Sequence, residues 1–216
     1  MVREGYSYGL PLVLMTGGLI GFWLRERSFS LLVLALLFLV LAILVLNFFR
    51  DPDRVIPADV GAVVSPADGR VVQVAEEEHA GRPIRRVSIF MSPLDVHVNR
   101  APIAGAIKEV TYRKGAFRVA SQDLASVENE QNVFTLVGEQ GEVVVKQIAG
   151  LLARRIVFWK RQGDTLTRGE RVGMIKFGSR VDVLLDPQVS LRVKVGDRVL
   201  AGSSILGLTQ SSAQAE

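Results

Sequence analysis

Three residues that could together perform nucleophilic chemistry lie far apart in the chain: Asp68, His97 and Ser179. An aspartate can orient an imidazole, and the imidazole can take the proton of a serine hydroxyl. Spacing alone does not require the three to meet, and Ser179 lacks the Gly-x-Ser-x-Gly elbow of α/β-hydrolases. If a base activated Ser179, the nearest carbonyl would be that of Gly178, where the missing Cβ leaves room for attack.

The Gly178-Ser179 pair interrupts an apolar run at residues 172–186. Apolar side chains on alternate positions predict one strand face that continues through the pair. These positions are Ile175, Phe177, Val181, Val183 and Leu185. A glycine inside a strand pattern usually marks a bulge or a close backbone approach, so a harmless bulge is the simplest interpretation of the pair taken alone.

The other two candidates also have structural interpretations. Asp68 precedes a glycine, and this pair is common in turns. His97 stands between Asp95 and Asn99 on alternate positions, so the three polar side chains would share one face of an extended segment. The second histidine, His79, follows an acidic run and is interpreted as part of a solvated hairpin loop.

Composition excludes several kinds of chemistry. The chain has no cysteine, which excludes disulfides, thiolate zinc sites and cysteine nucleophiles. Its two histidines are too few for a multi-histidine metal site, so we expect chemistry without a metal. The net charge is +4 and the pI about 9.7, but the basic residues are scattered among acidic ones. We therefore expect an anionic membrane surface, and no nucleic acid, as the partner.

Residues 1–50 contain two apolar segments. The segment at 30–49 has twenty residues without a charge, which matches the length needed to cross a bilayer core. The segment at 8–24 is short for a full span, so the pattern predicts a membrane hairpin, or one re-entrant segment and one span. Arginines flank both segments and hardly distinguish the two orientations. We expect both termini, and the domain that follows, on the cytoplasmic face of the cell membrane.

Residues 51–216 are expected to form the catalytic domain. Asp51-Pro52 and Pro57 break the helix, and short apolar runs separated by Gly, Pro and Asp then predict β-strands. The predicted strands are 60–64, 70–75, 85–91, 106–112, 132–137, 142–148 and 189–195. The best helix candidate is 150–159, and a strand is the alternative there.

A short pattern occurs twice in this domain. Gly163-Asp164, with a glycine at 169, recurs as Gly196-Asp197 with a glycine at 202. The pattern resembles the turns of lipoyl- and biotinyl-carrier domains, and it predicts an all-β or β-rich α+β fold built as a small barrel or sandwich. Two unrelated β-turns are the alternative.

Six pieces of sequence, taken together, resemble the short bacterial and archaeal form of the phosphatidylserine decarboxylases. They occur in the family's order and extend through the whole of residues 51–216. The pieces are Ser65-Pro-Ala-Asp68-Gly69, Met91-Ser-Pro-Leu-Asp-Val-His97-Val-Asn99, Lys114-Gly115-Ala-Phe117, Glu128-Asn129-Glu130, Gln147-Ile-Ala-Gly-Leu-Leu-Ala-Arg-Arg155 and Phe177-Gly178-Ser179-Arg180.

The resemblance implies a self-processing proenzyme. Ser179 Oγ would attack the Gly178 carbonyl, and elimination from the resulting ester would give products 1–178 and 179–216, which stay together as a heterodimer, with a homo-oligomer also open. The second product would begin with a pyruvoyl group made from Ser179. In this comparison His97 is the base and Asp68 is its orienting partner.

The resemblance also implies the reaction. The pyruvoyl group would replace pyridoxal phosphate as the electron sink when phosphatidylserine loses its carboxylate to give phosphatidylethanolamine, with no metal. Gly115, Phe117 and Asn129 are candidates for the headgroup pocket, or else turn and core residues. Longer members of the family have a second histidine where this chain has Arg100, and a small hydroxyl residue at Arg180, so the full role of His97 stays open.

Three alternatives remain at this stage. The lipid could carry ether chains, as in an archaetidylserine-type substrate. The chain could be a membrane-anchored lipoyl-like adaptor, although it has no heptad run and no lysine in either repeated turn. It could also be a serine hydrolase that uses Ser179 and His97.

Overall fold

The computed structural model describes residues 1–116, 128–150, 155–176 and 179–209. The chain divides into two units between Pro52 and Asp53. The first unit consists of the helices α1 (Arg3–Glu26) and α2 (Phe29–Phe48). The described part of the second unit contains β1 (Ala62–Val64), β2 (Gly69–His79), β3 (Arg82–Met91), β4 (Val98–Arg100), β5 (Gly105–Arg113), β6 (Gln131–Gly138), β7 (Gly141–Ala149), β8 (Arg155–Phe158), β9 (Thr165–Leu166), β10 (Arg171–Lys176), β11 (Ser179–Leu185), β12 (Ser190–Leu191), β13 (Arg198–Val199) and β14 (Ile205–Leu208).

Both helices are long and apolar enough to cross a membrane. At about 1.5 Å per residue, the 24 residues of α1 and the 20 of α2 extend about 36 and 30 Å, which matches a hydrocarbon core of about 30 Å. The expectation that the first segment is too short for a span is wrong, because polar residues at both ends prolong the helix beyond its apolar centre.

The two helices form a hairpin. Arg27 adopts a left-handed conformation (φ 52°) and its amide donates to the Trp23 carbonyl, which ends α1. At the other end, the Val2 amide donates to the Phe49 carbonyl at 3.1 Å. A Cβ added at Gly9 would lie 2.4 Å from the Leu46 side chain, so glycine is what permits the close packing of the two helices. The predicted helical hairpin is therefore confirmed.

The second unit is built on an eight-stranded antiparallel sheet in the order β13-β2-β3-β11-β7-β6-β5-β9. β11 lies in the middle of this sheet, where it pairs with β3 and β7. Val181, Val183 and Leu185 project into the hydrophobic core, whereas Arg180 and Asp182 occupy the alternate positions of the strand. A β-rich fold behind two apolar helices is thus confirmed.

The apolar run at 172–186 is divided between two sheets. β10 belongs to the three-stranded sheet β4-β10-β8, and β11 belongs to the eight-stranded sheet. The prediction of one strand with a continuous face is therefore wrong, because the chain changes its hydrogen-bonding partners between Lys176 and Ser179. Residues 177 and 178 lie outside the described residues.

The repeat seen in the sequence is also a repeat of structure. The sheets β1-β14-β12 and β4-β10-β8 are each part of one copy. We call residues 61–71 with 196–209 the first copy, and residues 97–107 with 163–176 the second copy. Four glycines have equivalent left-handed conformations, with φ of 90° at Gly163, 79° at Gly169, 98° at Gly196 and 77° at Gly202.

Backbone hydrogen bonds link the two copies to each other symmetrically. The Val64 amide donates to the Pro102 carbonyl at 2.9 Å, and the Arg100 amide donates to the Pro66 carbonyl at the same distance. Each copy therefore completes the other, which two unrelated turns would not do. The alternative of two unrelated β-turns is wrong.

Three smaller expectations change. Of the strand predicted at 189–195, only β12 forms. The helix candidate at 150–159 contains β8, while residues 151–154 lie outside the described residues. His79 is the last residue of β2, paired with Arg82, and is not in a solvated loop. The long β2-β3 hairpin extends the ladder to this position because its turn needs only Ala80 and Gly81.

Candidate active site

Ser179 is fully buried at the start of β11. Its register partners are Met91 on β3 and Ala149 on β7, so backbone ladders hold it from both sides. Its Oγ donates to the Met91 Sδ at 3.3 Å. The predicted nucleophile is thus held in a water-poor position in the middle of a sheet. The other half of the predicted cleavage site, Gly178, lies outside the described residues.

His97 is fully buried immediately before β4. Its Nδ1 lies 2.9 Å from the Asp95 carbonyl oxygen. Because a carbonyl only accepts, Nδ1 carries the proton, and Nε2 of the neutral ring is then the basic nitrogen. The His97 carbonyl accepts from the Ile175 amide at 3.3 Å, and Ile175 precedes Ser179 by four residues. The histidine is therefore anchored to the strand that leads into the predicted cleavage site.

The alternation predicted that Asp95 and His97 share one strand face, and this prediction is wrong. Asp95 lies in the turn before β4, where its carboxylate accepts from the Ser92 amide at 2.8 Å and from Arg198 Nη2 at 2.7 Å. Only its backbone carbonyl contacts the imidazole. The alternation failed because regular strand structure begins at Val98.

Asp68 is almost fully buried, and a cation neutralises its charge. Arg54 Nη2 donates to both carboxylate oxygens, at 2.9 and 2.8 Å, and the Ala201 amide donates to Oδ1 at 2.8 Å. The bond from Ala201 joins the two segments of the first copy, and the bonds from Arg54 attach the chain that precedes this copy. The role of Asp68 as an orienting partner of His97 stays a prediction.

Asn129 and Gly115 lie beside the row of residues that includes Ser179. Asn129 Nδ2 donates to the carbonyl of Ala149, the register partner of Ser179, at 2.7 Å. A Cβ at Gly115 would lie 2.3 Å from the Glu128 carbonyl oxygen, so only glycine fits there. These contacts are structural, and a role in binding substrate stays a prediction. Phe117, the third candidate, lies outside the described residues.

Comparison with known proteins decides the family. The family model for phosphatidylserine decarboxylase matches residues 41–207, which is more than half of the chain. This chain belongs to the phosphatidylserine decarboxylase family. Similar proteins include the phosphatidylserine decarboxylase proenzymes of Solibacter usitatus (50% identity over 207 residues, 95% of each chain) and Geobacter metallireducens (42% over 213 residues, 96% of each). The proenzyme of Salinibacter ruber is 50% identical over 169 residues, which cover 76% of this chain and 74% of that relative.

The two arginines that the sequence analysis contrasted with the longer members of the family, Arg100 and Arg180, are both buried. Arg100 Nη1 donates to the Gly169 carbonyl at 3.0 Å, which joins the two segments of the second copy. Arg180 Nε donates to Asp182 Oδ1 at 2.6 Å, and its Nη2 donates to Ser88 Oγ at 2.8 Å. Because successive side chains of a strand point to opposite faces, Arg180 projects away from the Ser179 hydroxyl.

Charged groups cover that opposite face of the sheet. Lys146 on β7 pairs with Asp182 on β11. Burial lowers the pKa of Lys146 below its usual value, although the negative charges of Asp182 and Glu77 act in the opposite direction. At the edge near Asn129, Tyr112 donates to the Glu130 carboxylate. Burial, together with this hydrogen bond and the negative charge, raises the pKa of Tyr112 to about 12, so the phenol stays protonated at neutral pH.

Sequence reasoning did not name two polar residues, Asn132 and Gln147, as candidates for the site, although Gln147 begins one of the six pieces that carry the resemblance. Both are buried, and they join Asn99 in a line of hydrogen-bonded amides. The sequence did contain a signal for both, because each stands at an inward position of a strand whose alternate residues are apolar.

The described part of the chain brings no three His, Asp or Glu side chains close enough to hold a metal ion, and the expectation of metal-free chemistry stays a prediction.

Proposed function

We propose that this chain is a membrane-associated enzyme that decarboxylates phosphatidylserine to phosphatidylethanolamine, and that it makes its own pyruvoyl group by cleavage between Gly178 and Ser179. The observation that carries the proposal is the burial of Ser179 at the head of a central strand, in a member of this family. The anchoring of His97 to the strand that leads into the cleavage site supports it.

The cleavage is an acyl shift followed by an elimination. Ser179 Oγ attacks the Gly178 carbonyl carbon while His97 Nε2 takes the hydroxyl proton, and the peptide C–N bond breaks to leave an ester and a free amine. Loss of the Ser179 Cα proton then expels the Gly178 carboxylate and leaves a dehydroalanine. Its imine tautomer takes up water and releases ammonia, which gives the pyruvoyl group.

The surroundings of Ser179 fit such a group. When formed, the pyruvoyl carbonyl supplies an electrophile that accepts the electron pair left behind by the departing carboxylate. Met91 and Ala149 flank the position with uncharged side chains, and the complete burial of Ser179 limits access of water. Asn129 holds the Ala149 carbonyl, and His97 is available to move protons.

The two cleavage products are expected to stay together. The product 179–216 begins with β11, whose neighbours β3 and β7 both belong to the product 1–178. Cutting the chain ahead of β11 leaves both ladders intact. We also propose that α1 and α2 anchor the enzyme in the membrane that holds its lipid substrate, with the catalytic domain on the cytoplasmic face.

The replacement Ser179→Ala tests this function. The full chain, purified in detergent, should appear as two fragments by mass spectrometry, the smaller one beginning with a blocked residue 179. The variant should remain one chain and release no carbon dioxide from phosphatidylserine, because it lacks both the nucleophile and the precursor of the pyruvoyl group. An uncut wild-type chain that still decarboxylates the lipid would contradict the proposal.

Two further assays separate the alternatives. Labelling of Ser179 by a fluorophosphonate would indicate a serine hydrolase, since a pyruvoyl group has no hydroxyl to label. Carbon dioxide release from ester-linked and ether-linked serine lipids, compared in the same vesicles, would distinguish phosphatidylserine from an archaetidylserine-type substrate.

A further inference from the structure

Three buried amide side chains form a continuous line beside Ser179, which we call the amide relay: Asn132, Gln147 and Asn99. Asn132 Nδ2 donates to Gln147 Oε1 at 2.9 Å, and Gln147 Nε2 donates to Asn99 Oδ1 at 2.8 Å. The three side chains are at most 2% exposed. They connect β6, β7 and β4, which belong to two different sheets.

The direction of the relay follows from its last acceptor. The amide end of the Asn99 side chain that faces the Pro66 carbonyl oxygen lies 3.4 Å from it. Because a carbonyl only accepts hydrogen bonds, this atom must be the donor Nδ2. Asn99 Oδ1 then faces Gln147, which has to donate through Nε2. Gln147 Oε1 is left to accept from Asn132. Every amide therefore has one orientation that satisfies all its partners.

The last amide of the relay, Asn99, is linked to all three candidate catalytic residues through neighbouring residues. Asn99 follows His97 by two residues, and its acceptor Pro66 precedes Asp68 by two. Asn99 Nδ2 also approaches the Met91 Sδ at 3.8 Å, the same sulfur that accepts from Ser179 Oγ. Asn99 thus belongs to the segment of His97, contacts the segment of Asp68, and shares the sulfur of Met91 with Ser179.

We propose that the amide relay is the positioning device that holds these three segments in register for self-cleavage, an inference that rests on the proposed function. Burying an amide costs free energy unless all its hydrogen bonds are made. The fold does not require this cost, because the first copy has the core residue Val63 at the place of Asn99. Geometry at the cleavage site accounts for Asn99 in the second copy and for the two amides, Asn132 and Gln147, that join it.

The replacement Gln147→Glu tests the relay through pH. Burial raises the pKa of a carboxyl group, so at low pH this side chain is protonated and can still donate to Asn99 Oδ1. Once ionised, it cannot donate, and its charge faces the Asn99 oxygen. We expect cleavage near the wild-type rate at about pH 6 and about tenfold to hundredfold slower at about pH 9. The full chain is synthesised in a cell-free system with detergent, and cleavage is followed by mass spectrometry.

The control is Gln73→Glu. Gln73 Oε1 accepts from Arg86 at 3.0 Å and from Arg180 at 3.4 Å, so a carboxylate can replace it at any pH. This variant should cleave at a constant ratio to wild type. Resistance to added protease, measured at each pH, limits the comparison to folded protein. A ratio for Gln147→Glu that is flat across the pH range would overturn the relay.

A neutral variant keeps the test decisive if Gln147→Glu does not fold. Gln147→Met fills a similar volume without hydrogen bonds, and we expect cleavage about tenfold slower or worse at every pH. Cleavage at the wild-type rate in that variant would overturn the relay and leave the proposed function standing. A wild-type chain that is never cleaved would overturn both.

Discussion

The two copies of the repeat share a backbone and differ in the chemistry of their side chains. Each has the same turn, closed by equivalent hydrogen bonds: Gly202 N to Ser65 O at 2.7 Å in the first copy, and Gly169 N to Ala101 O at 2.8 Å in the second. Their inward side chains are different. The second copy has His97, Asn99 and Arg100 where the first has Gly61, Val63 and Val64, and the first has Asp68 where the second has Ala104.

This difference separates what the fold needs from what the chemistry needs. The first copy shows that the strand pairing at these positions is satisfied by glycine and valine. The polar residues of the second copy are therefore not required for the backbone, and burying them costs free energy that only their hydrogen bonds offset. The candidate orienting residue Asp68 and the candidate base His97 stand in opposite copies, so the candidate site exists only when both copies are assembled.

The largest expected effect is on the rate of self-cleavage, when His97 is removed and the second copy loses the base that the first copy lacks. His97→Ala gives the second copy a side chain without a base, as in the first. We expect self-cleavage to slow about 10²- to 10⁴-fold, the usual contribution of a general base. Mass spectrometry of the freshly synthesised chain measures the rate.

The other histidine is the control for this variant. His79 pairs with Arg82, nine residues along β3 from the partner of Ser179, a separation of about 30 Å. His79→Ala should therefore cleave normally. Cleavage of the His97→Ala variant at the wild-type rate would show that His97, and with it the second copy, does not supply the base for self-cleavage.

A smaller effect is expected from giving the first copy an amide. Val63 is fully buried in the core at the position equivalent to Asn99, between Ala62 and Val64 in the chain and opposite Gly207 in the sheet. Val63→Asn should lower the free energy of unfolding by about 1–3 kcal/mol, because its amide loses water without gaining partners. Urea unfolding of the full chain in detergent measures this, with Val63→Ala as the apolar control. If both variants unfold alike, the amide itself carries no penalty.

The smallest expected effect is a difference in how the turns of the two copies respond to low pH. The Thr167 amide donates to the Glu170 carboxylate at 2.9 Å, whereas the equivalent Leu200 amide donates to the Ser204 hydroxyl. Hydrogen bonds from Lys160 and from the Thr167 amide lower the pKa of Glu170. A lowered folded pKa means that the stabilisation is complete above the unfolded value near 4.5 and is lost as pH falls through the folded pKa.

Amide hydrogen exchange can detect that difference. On acidification below about pH 4.5, the Gly169 amide should lose protection before the Gly202 amide does, after correction for intrinsic exchange rates. Glu170→Gln removes the titrating group and should make the two turns respond alike. Equal loss of protection at both glycines in the wild-type chain would show that the carboxylate does not set the acid sensitivity.

Local features of the chain were predictable from the sequence. Most strands formed where alternation and turn residues placed them, and the two copies of the repeated glycine pattern form equivalent turns. The errors occurred where partners are distant. The run at 172–186 has one apolar pattern but two sets of neighbours, and Asp68 has a strong partner, Arg54, that no local pattern marks.

The sequence by itself determined the candidate residues, the two apolar helices, the absence of cysteine chemistry and the family, because each depends on residue type and order. Only the tertiary structure decided what surrounds Ser179. Met91 and Ala149 are distant from it in the chain, and they meet there because strand register is set by the pairing of the whole ladder and the packing of the core. Asn99 reaches this place through the Met91 sulfur. A local pattern specifies which face a side chain takes, and the assembled sheets specify which neighbours it finds.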